Sequence, residues 1–283
     1  MQFSRVLVLG ATGRIGGILR AYVGDAGDFR WQARGAAPSD AGPGDWVICD
    51  PLHNPAGLAR AAEGCGAILC LSGVTHARLA QDGGADLAQN SDLALAAIRA
   101  GAAVGARVRV LLTSSAAVYG AQSGSLAENA PLCPANAYGA AKVEMEERGA
   151  ALGAELGVEV TSLRIGNIAG LDAILGGWRP GFRLDRFADG RSPRRSYIGL
   201  ATLARTLREL PLMEGLPGAL NIAEPGMVEM GALLDAAGLA WEAQEAPETA
   251  IPEVELDVGA LQTLCPWLPD RGAPARMVAE WRG

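Results

Sequence analysis

Tyr138 and Lys142 are the two residues of this chain whose types and spacing most plainly suggest chemistry. They stand four apart in Tyr138-Gly139-Ala140-Ala141-Lys142, where a segment patterned as a helix begins. On a helix that spacing puts both side chains on one face, a turn apart. An ammonium near a phenol favours the phenolate and draws the tyrosine pKa down from about 10. A tyrosine tuned in this way can pass a proton to or from a carbinol oxygen near neutral pH. Tyr–Lys pairs at this spacing are also common on solvated helix faces, so the pair alone leaves that reading open. Ser114-Ser115-Ala116-Ala117-Val118-Tyr119-Gly120 leaves the carboxyl end of the apolar run Val108 to Thr113. A hydroxyl there can bind the substrate oxygen on which the tyrosine acts. A Ser-Ser pair is also ordinary strand-end turn chemistry.

A second constellation lies near the start of the chain. The β-prone apolar run Val6-Leu7-Val8-Leu9 is followed by Gly10, Gly13 and Gly16 at intervals of three. A helical apolar pattern (Ile15, Leu19, Val23) begins inside that spacing. A strand that turns through glycine into a helix makes an anion site, because amide N–H groups and the helix dipole point at a phosphate. The glycines would serve the turn, the close approach of a pyrophosphate and the packing of helix on strand. The alternative is an ordinary strand–helix turn in a chain with 38 glycines.

The elements that must position these residues alternate between strand and helix, as a doubly wound parallel sheet requires. Phe29–Ala33, Trp46–Cys49, Ala67–Leu71, Val108–Thr113 and Val158–Ile165 read as strands two to six. Pro55–Ala62, Asp86–Ala103 and Tyr138–Leu156 read as helices. Beyond Gly170, Leu200–Leu210 and Glu229–Ala237 read as helices and Ala219–Ala223 as a strand. Pro247, Pro252, Pro266, Pro269 and Pro274 predict that the last forty residues are mostly irregular. The expected fold is α/β: a dinucleotide-binding domain over residues 1–170, and a small lobe, mainly residues 171–283, that holds substrate. Part of the chain after residue 195 packs back on the first domain in this reading. Ligands of such sheets bind outside the carboxyl ends of strands, where the strand order reverses.

Composition limits the partners. The 283 residues are 49% hydrophobic and 19% charged, which describes a globular chain able to bury a full core. A net charge of −7 and a pI near 5.0 argue against nucleic acid or an anionic membrane as partner. No apolar run approaches the roughly 20 residues of a membrane span. The first residues lead straight into a strand pattern, without a basic and apolar signal segment, so a cytoplasmic protein is expected. Cys49, Cys65, Cys70, Cys133 and Cys265 form no CxxC pair and suggest free thiols in a reducing compartment. With only His53 and His76, and no clustered ligands, no metal site is expected.

Taken in order, the glycine loop, the strand-end serine and Tyr-x-x-x-Lys give the chain a resemblance. Over residues 3 to about 225 it is similar to an extended short-chain dehydrogenase/reductase, of the NAD-dependent epimerase/dehydratase family. Gly10-Ala11-Thr12-Gly13-Arg14-Ile15-Gly16 matches the family's G-x-x-G-x-x-G cofactor loop. Ser115 matches its catalytic Ser/Thr, and Tyr138 and Lys142 its catalytic pair. Asn90 matches an asparagine in the helix before strand five, and the resemblance implies that it helps bind the cofactor. Leu163-Arg164-Ile165-Gly166-Asn167-Ile168-Ala169-Gly170 matches L-R-x-x-N-x-x-G, in which Asn167 would face substrate. Arg195-Ser196-Tyr197-Ile198 resembles R-D-Y/F-I/V, with Arg195 as a further substrate contact. The resemblance implies a Rossmann-type fold, a nicotinamide cofactor and a role for Lys142 on the nicotinamide ribose. It sets Asp50 and Leu52 near adenine, and Leu71, Ser72 and Gly73 beside the nicotinamide. Thr75 and His76 would then lie on the substrate side.

The residue after strand two selects between cofactors. An acid there would accept from the ribose 2′-OH and favour NAD. The strand instead ends Trp31-Gln32-Ala33-Arg34-Gly35, with no acid before Asp40. Arg34 can pair with a 2′-phosphate, so NADP is the first choice and NAD the alternative. A solvated loop arginine remains the plain reading of Arg34.

Departures from the family narrow the reaction. Sugar-nucleotide dehydratases carry Asp-Glu directly after the catalytic Thr, where this chain has Ala116-Ala117. The acid and base for eliminating water are thus missing. The reductases that make GDP-deoxysugars carry a cysteine where Ala117 stands. The stretch Ala246–Glu253, where nucleotide-sugar epimerases usually carry a diphosphate-binding arginine, has none, and counting Glu245 it holds three acids. The sequence therefore reads as an NAD(P)-dependent oxidoreductase, NADP-preferring, that transfers hydride at a carbinol or carbonyl carbon of a sugar-like or other small polar substrate. Tyr138 is acid/base, Lys142 tunes it and Ser115 polarises the carbonyl. The alternatives are a nucleotide-sugar epimerase that retains NAD, and a non-catalytic NADP-binding sensor. A homodimer is compatible with either.

Overall fold

The structure is a computed structural model and describes residues 5–24, 27–39, 44–75, 86–105 and 108–283. Seven strands make the main sheet: β1 (Val6–Leu9), β2 (Phe29–Ala33), β3 (Asp45–Ile48), β4 (Ala67–Cys70), β5 (Arg109–Ser115), β6 (Glu159–Ile165) and β7 (Ala219–Ile222). Their spatial order is β7-β6-β5-β4-β1-β2-β3. β1 pairs in parallel with β2 and β4, β2 with β3, and β4 with β5. The chain builds outward from β1 to the β3 edge, then returns to lay β4 on the other side of β1. That reversal opens a crevice at the carboxyl ends of β1 and β4, where such sheets bind ligands. This is the Rossmann-type α/β fold that the sequence predicts.

Burial explains the strands. All four residues of β1 are fully buried, as a strand covered on both faces requires. Helices Pro55–Ala62, Gln89–Ala103 and Ala137–Leu156 contribute Leu58, Ala61, Ile98 and Met145 to a core with Leu7, Leu9, Ile68, Val110 and Leu112. Local signals set the helix ends. Asn54 Oδ1 accepts from the Gly57 amide at 2.8 Å, and Pro55 follows it where its missing N–H costs nothing. Asn136 caps the Ala137–Leu156 helix in the same way, and Gly157 ends it with φ 68°.

The chain divides into two compact units. The first comprises Met1–Val118, Pro134–Leu163 and Ala204–Ala219; the second comprises Tyr119–Cys133, Arg164–Leu203 and Leu220–Gly283. The second unit has its own core of Leu175, Leu184, Tyr197, Leu233, Leu234 and Met277. The expectation of an irregular tail is overturned there. Strands Glu242–Glu245 and Glu253–Leu256 and helices Gly259–Leu264 and Pro274–Arg282 occupy much of the last forty residues. The prolines misled because they stand at element boundaries. Pro274 opens a helix, and Pro252 precedes a strand that pairs in parallel with Arg194–Arg195.

Cys49, Cys65, Cys70 and Cys265 are buried and Cys133 is exposed, all as free thiols. Among the described residues no helix is long and apolar enough to cross a membrane, and no cluster of His, Cys, Asp and Glu could hold a metal ion.

Candidate functional site

The carboxyl end of β5 and the first turns of the Ala137–Leu156 helix bring Ser115, Tyr138 and Lys142 together in the first unit. β5 runs to Ser115, two residues beyond the expected Thr113. The two chain segments press closely, since a Cβ on Gly139 would lie 2.5 Å from the Ala117 carbonyl oxygen. The Asn136 cap fixes the helix start and so places Tyr138 in the first turn. The Ser115 and Tyr138 hydroxyls share a hydrogen bond, and Ser115 Oγ also accepts from the Ala117 amide at 3.2 Å. Lys142 Nζ lies 5.8 Å from the centre of the Tyr138 ring. It is 3% exposed and donates to the Thr113 carbonyl at 2.8 Å.

The electrostatics differ from the expectation in one respect. Burial raises the Tyr138 pKa above 10, and the Ser115 hydrogen bond works against that rise. Burial lowers the Lys142 pKa to about 8, while Cys70 and Glu146 act upward. Without a ligand the tyrosine is therefore a protonated phenol at neutral pH, and Lys142 is still mostly cationic. The expected depression of the tyrosine pKa is overturned: desolvation of the half-buried ring raises it, and the opposing influence is the Ser115 hydrogen bond.

The glycine loop has the form of a pyrophosphate cradle. Gly10 turns with φ +76°, in the left-handed region, and the Gly13 amide closes the turn onto the Gly10 carbonyl at 2.9 Å. A Cβ on Gly16 would lie 2.6 Å from both the Gly10 and Ala11 carbonyl oxygens, so the helix sits directly on the turn. Thr12, Gly13 and Arg14 are exposed and Ile15 is half-buried. Gly13 caps the Arg14–Val23 helix without a side-chain bond, which leaves its first amides for an anion. These features fit a dinucleotide.

The other cofactor candidates belong to the same unit. Arg34 is exposed, one residue past β2. Asp50 Oδ1 accepts from the Leu52 and His53 amides at 2.9 and 3.1 Å. Burial pushes the Asp50 carboxyl up, but these bonds and the His53 imidazole outweigh it and hold its pKa low. Leu71, Ser72 and Gly73 follow β4, and a Cβ on Gly10 would collide with Ser72 at 2.7 Å. Asn90 is buried. Its Oδ1 accepts from the Val74 amide at 3.1 Å and its Nδ2 donates to the Val74 and Leu87 carbonyls at 3.2 and 3.0 Å. Asn90 thus pins the loop after β4. Thr75 is exposed at the end of that loop, and His76 and Asp40 lie outside the described residues.

Asn167 and Arg195 belong to the second unit. Asn167 is hydrogen-bonded to the Tyr197 side chain, whose hydroxyl donates to Asp172 Oδ2 at 2.7 Å. Burial raises the Asp172 pKa. The Arg195 guanidinium donates to the Arg194, Ile251 and Pro252 carbonyls at 2.7, 2.8 and 3.2 Å. It therefore ties down the segment before strand Glu253–Leu256.

Several residues of the site escaped the sequence reading. Gln32, 2% exposed, accepts from the Gly10 amide at 3.0 Å and donates to the Cys49 carbonyl at 2.7 Å. Arg20 Nε donates to the Ala11 carbonyl at 3.0 Å and its guanidinium covers the Trp46 ring. Glu146 is 7% exposed and takes a 2.5 Å hydrogen bond from Ser114 Oγ. A polar residue between Trp31 and Ala33 in an expected strand was the available signal for Gln32. For Lys142 a compositional signal was also present, because it is the only lysine among 24 Lys and Arg residues.

A family model described as the NAD dependent epimerase/dehydratase family matches residues 6–175. The chain belongs to that family. It is a family of NAD-dependent enzymes, and the matched span contains the glycine loop, Ser115, Tyr138 and Lys142. No curated protein sequence matches the chain. Solved structures of low identity share the fold. UDP-glucose 4-epimerase from Brucella ovis in complex with NAD is 19% identical, with a TM-score of 0.80 over 98% of this chain and 97% of its own. UDP-N-acetylglucosamine 4-epimerase from Methanobrevibacter ruminantium M1, in complex with UDP-N-acetylmuramic acid, is 16% identical, with a TM-score of 0.77 over 100% and 98%. DesIV, a dTDP-glucose 4,6-dehydratase from Streptomyces venezuelae with NAD bound, is 22% identical, with a TM-score of 0.73 over 98% and 97%.

Proposed function

We propose that this epimerase/dehydratase-family protein is an NADP-preferring oxidoreductase that works at a carbinol or carbonyl carbon of a sugar-like or other small polar substrate. The hydrogen-bonded Ser115–Tyr138 pair beside the buried Lys142 ammonium carries this reading. Gly10, Thr12, Gly13, Arg14, Ile15 and Gly16 would hold the pyrophosphate. Asp50 and Leu52 would flank the adenine and Arg34 the 2′-phosphate, while Leu71, Ser72 and Gly73 line the nicotinamide side. When bound, the nicotinamide supplies or accepts the hydride. Tyr138 holds the mobile proton at its Oη, and burial keeps it there at neutral pH, so the free protein is set to protonate a carbonyl oxygen. Ser115 orients that oxygen, and the Lys142 charge stabilises the phenolate left behind. Asn90 positions the loop after β4 and, through it, would help hold the cofactor.

In this reading residues 1–170 bind the dinucleotide and residues 171–283 mainly bind substrate, with Thr75, His76, Asn167 and Arg195 as contacts. The protein is cytoplasmic, and a homodimer is compatible with the reading. Elimination of water is disfavoured by Ala116-Ala117 after the serine. A second reading, an epimerase that retains NAD, is favoured by the epimerases among the similar folds. The test begins by identifying any nucleotide that co-purifies, then follows a panel of alcohols, sugars and carbonyl compounds at the reduced-nicotinamide absorbance band. Tyr138→Phe should cut turnover by roughly 10²–10⁴-fold while cofactor affinity stays within a few-fold. Retained NAD with no net change in absorbance selects the epimerase. No conversion of any panel member by wild type leaves a nucleotide-binding sensor.

A further inference from the structure

Three consecutive residues at the end of β5 each hold one residue of the Ala137–Leu156 helix, and those three helix residues stand one turn apart. Ser115 takes Tyr138, Thr113 takes Lys142 and Ser114 takes Glu146. The proposed reaction uses the first two pairs and gives the third no task. Glu146 is 7% exposed, a degree of burial that is rare for a carboxyl side chain. The other acids of this stretch, Glu144 and Glu147, are exposed, and Glu144 pairs with Arg148 at 2.9 Å. Lys142 is buried as well. Its neighbours at Nζ are the Thr113 carbonyl and, at 3.8 Å, the Met145 sulfur, neither of which carries charge. A buried ammonium is costly unless an opposite charge lies near.

The geometry points to Glu146 as a positioning residue: a buried carboxylate, fixed by the Ser114 hydroxyl, whose charge holds the Lys142 ammonium beside Tyr138. Glu146 follows Lys142 by four residues, so both lie on one face of the helix. The Ser114 hydroxyl donates to Glu146 Oε1, so the serine fixes where the carboxyl group sits. The groups that face Lys142 are Tyr138 and Glu146 from its own helix and the Cys70 thiol from β4. Cys70 is itself buried, with its pKa raised to about 11, so it is a neutral thiol at working pH, and Glu146 is the carboxyl group that acts on the ammonium. The meaning of the pairing for turnover rests on the proposed role of Tyr138 and Lys142, but its test does not.

Because Lys142 is the only lysine, protein carrying lysine labelled with ¹⁵N at Nζ gives a single side-chain signal. Its titration midpoint can be read without cofactor or substrate. Glu146→Gln, which keeps an acceptor for Ser114 and removes the charge, should lower the midpoint by about one pH unit or more. Glu146→Asp should recover more than half of that shift. Ser114→Ala should lower the midpoint by a smaller amount, and the exposed control Glu147→Gln should leave it unchanged. A Glu146→Gln midpoint within about 0.3 of wild type, or an equal shift in the Glu147→Gln control, overturns the inference. Should Glu146→Gln not fold, Ser114→Ala decides, and a midpoint that stays or rises overturns it. A shifted midpoint in a protein whose turnover survives Tyr138→Phe keeps the pairing and removes the catalytic reading. An unshifted midpoint with Tyr138-dependent turnover does the reverse.

Discussion

Gln32 locks Gly10: its Oε1 accepts the Gly10 amide at 3.0 Å while its Nε2 donates to the Cys49 carbonyl at 2.7 Å. One buried side chain on β2 thereby joins the turn after β1 to the end of β3. Both partners are backbone groups that otherwise lose a bond away from water. Gln32→Leu, which is similar in size and makes neither bond, should lower stability by about 1–3 kcal/mol. It should also loosen the turn and weaken dinucleotide binding by about tenfold or more. Thermal melts and cofactor titration of the same preparation check both effects. A variant as stable as wild type would show that the amide contributes nothing to the lock.

The fold was legible because periodicity and glycine spacing act locally. The strand Val6–Leu9, the helix Pro55–Ala62 and the strand Phe29–Ala33 lie where the residue pattern sets them. The Tyr138–Lys142 spacing also placed both residues correctly on one helix, since one turn is a local relation. Gln32 and Glu146 were not legible, because their partners lie 22 and 32 residues away in sequence, across packed elements. The sign of the Tyr138 shift was missed for the same reason. Spacing reports the neighbouring ammonium, while desolvation depends on the whole surrounding fold.

The glycine loop allows binding and folding to be separated. A Cβ on Gly13 would meet only the Gly10 carbonyl oxygen, at 3.2 Å, on an exposed face of the turn. Gly13→Val should therefore fold and lose dinucleotide affinity, by about a hundredfold if the pyrophosphate rests on that backbone. Gly16→Val drives a side chain into two carbonyl oxygens at 2.6 Å inside the helix–strand contact and should be destabilised outright. Circular dichroism melts and nucleotide titration together discriminate the two. Undiminished affinity in a folded Gly13→Val protein would mean that the nucleotide binds elsewhere.

Asp172 should leave a mark on the pH dependence of stability. Burial raises its pKa above the ordinary 3.8, against the hydrogen bonds from Tyr197 and the Leu175 amide. A carboxyl with a raised folded pKa binds its proton more tightly when folded. Its contribution to stability is thus full below pH 3.8 and is lost as pH rises through the folded value. Asp172→Asn is neutral at every pH and should flatten the fall in melting temperature above pH 4, measured against wild type in matched buffers. An identical slope in both proteins would assign the pH dependence to other groups.

Arg34 gives the sharpest test of cofactor choice. It is exposed, it follows β2 directly, and the strand offers no acid to a ribose 2′-hydroxyl. A 2′-phosphate carries up to about two negative charges, and a bidentate guanidinium pair with it is worth roughly 1.5–3 kcal/mol. That corresponds to about a ten- to hundredfold preference for NADP over NAD. Arg34→Ala should lose most of the preference while NAD affinity changes little, because NAD presents a hydroxyl that gains nothing from the charge. Exposure makes the interaction sensitive to screening, so the preference should shrink as salt rises, and both dissociation constants must be compared at one ionic strength. Arg34→Lys keeps the charge and gives up the two-pronged geometry, and it should fall between wild type and alanine. If wild type binds NAD as tightly as NADP, Arg34 is a solvated loop residue and the NAD-retaining epimerase reading gains.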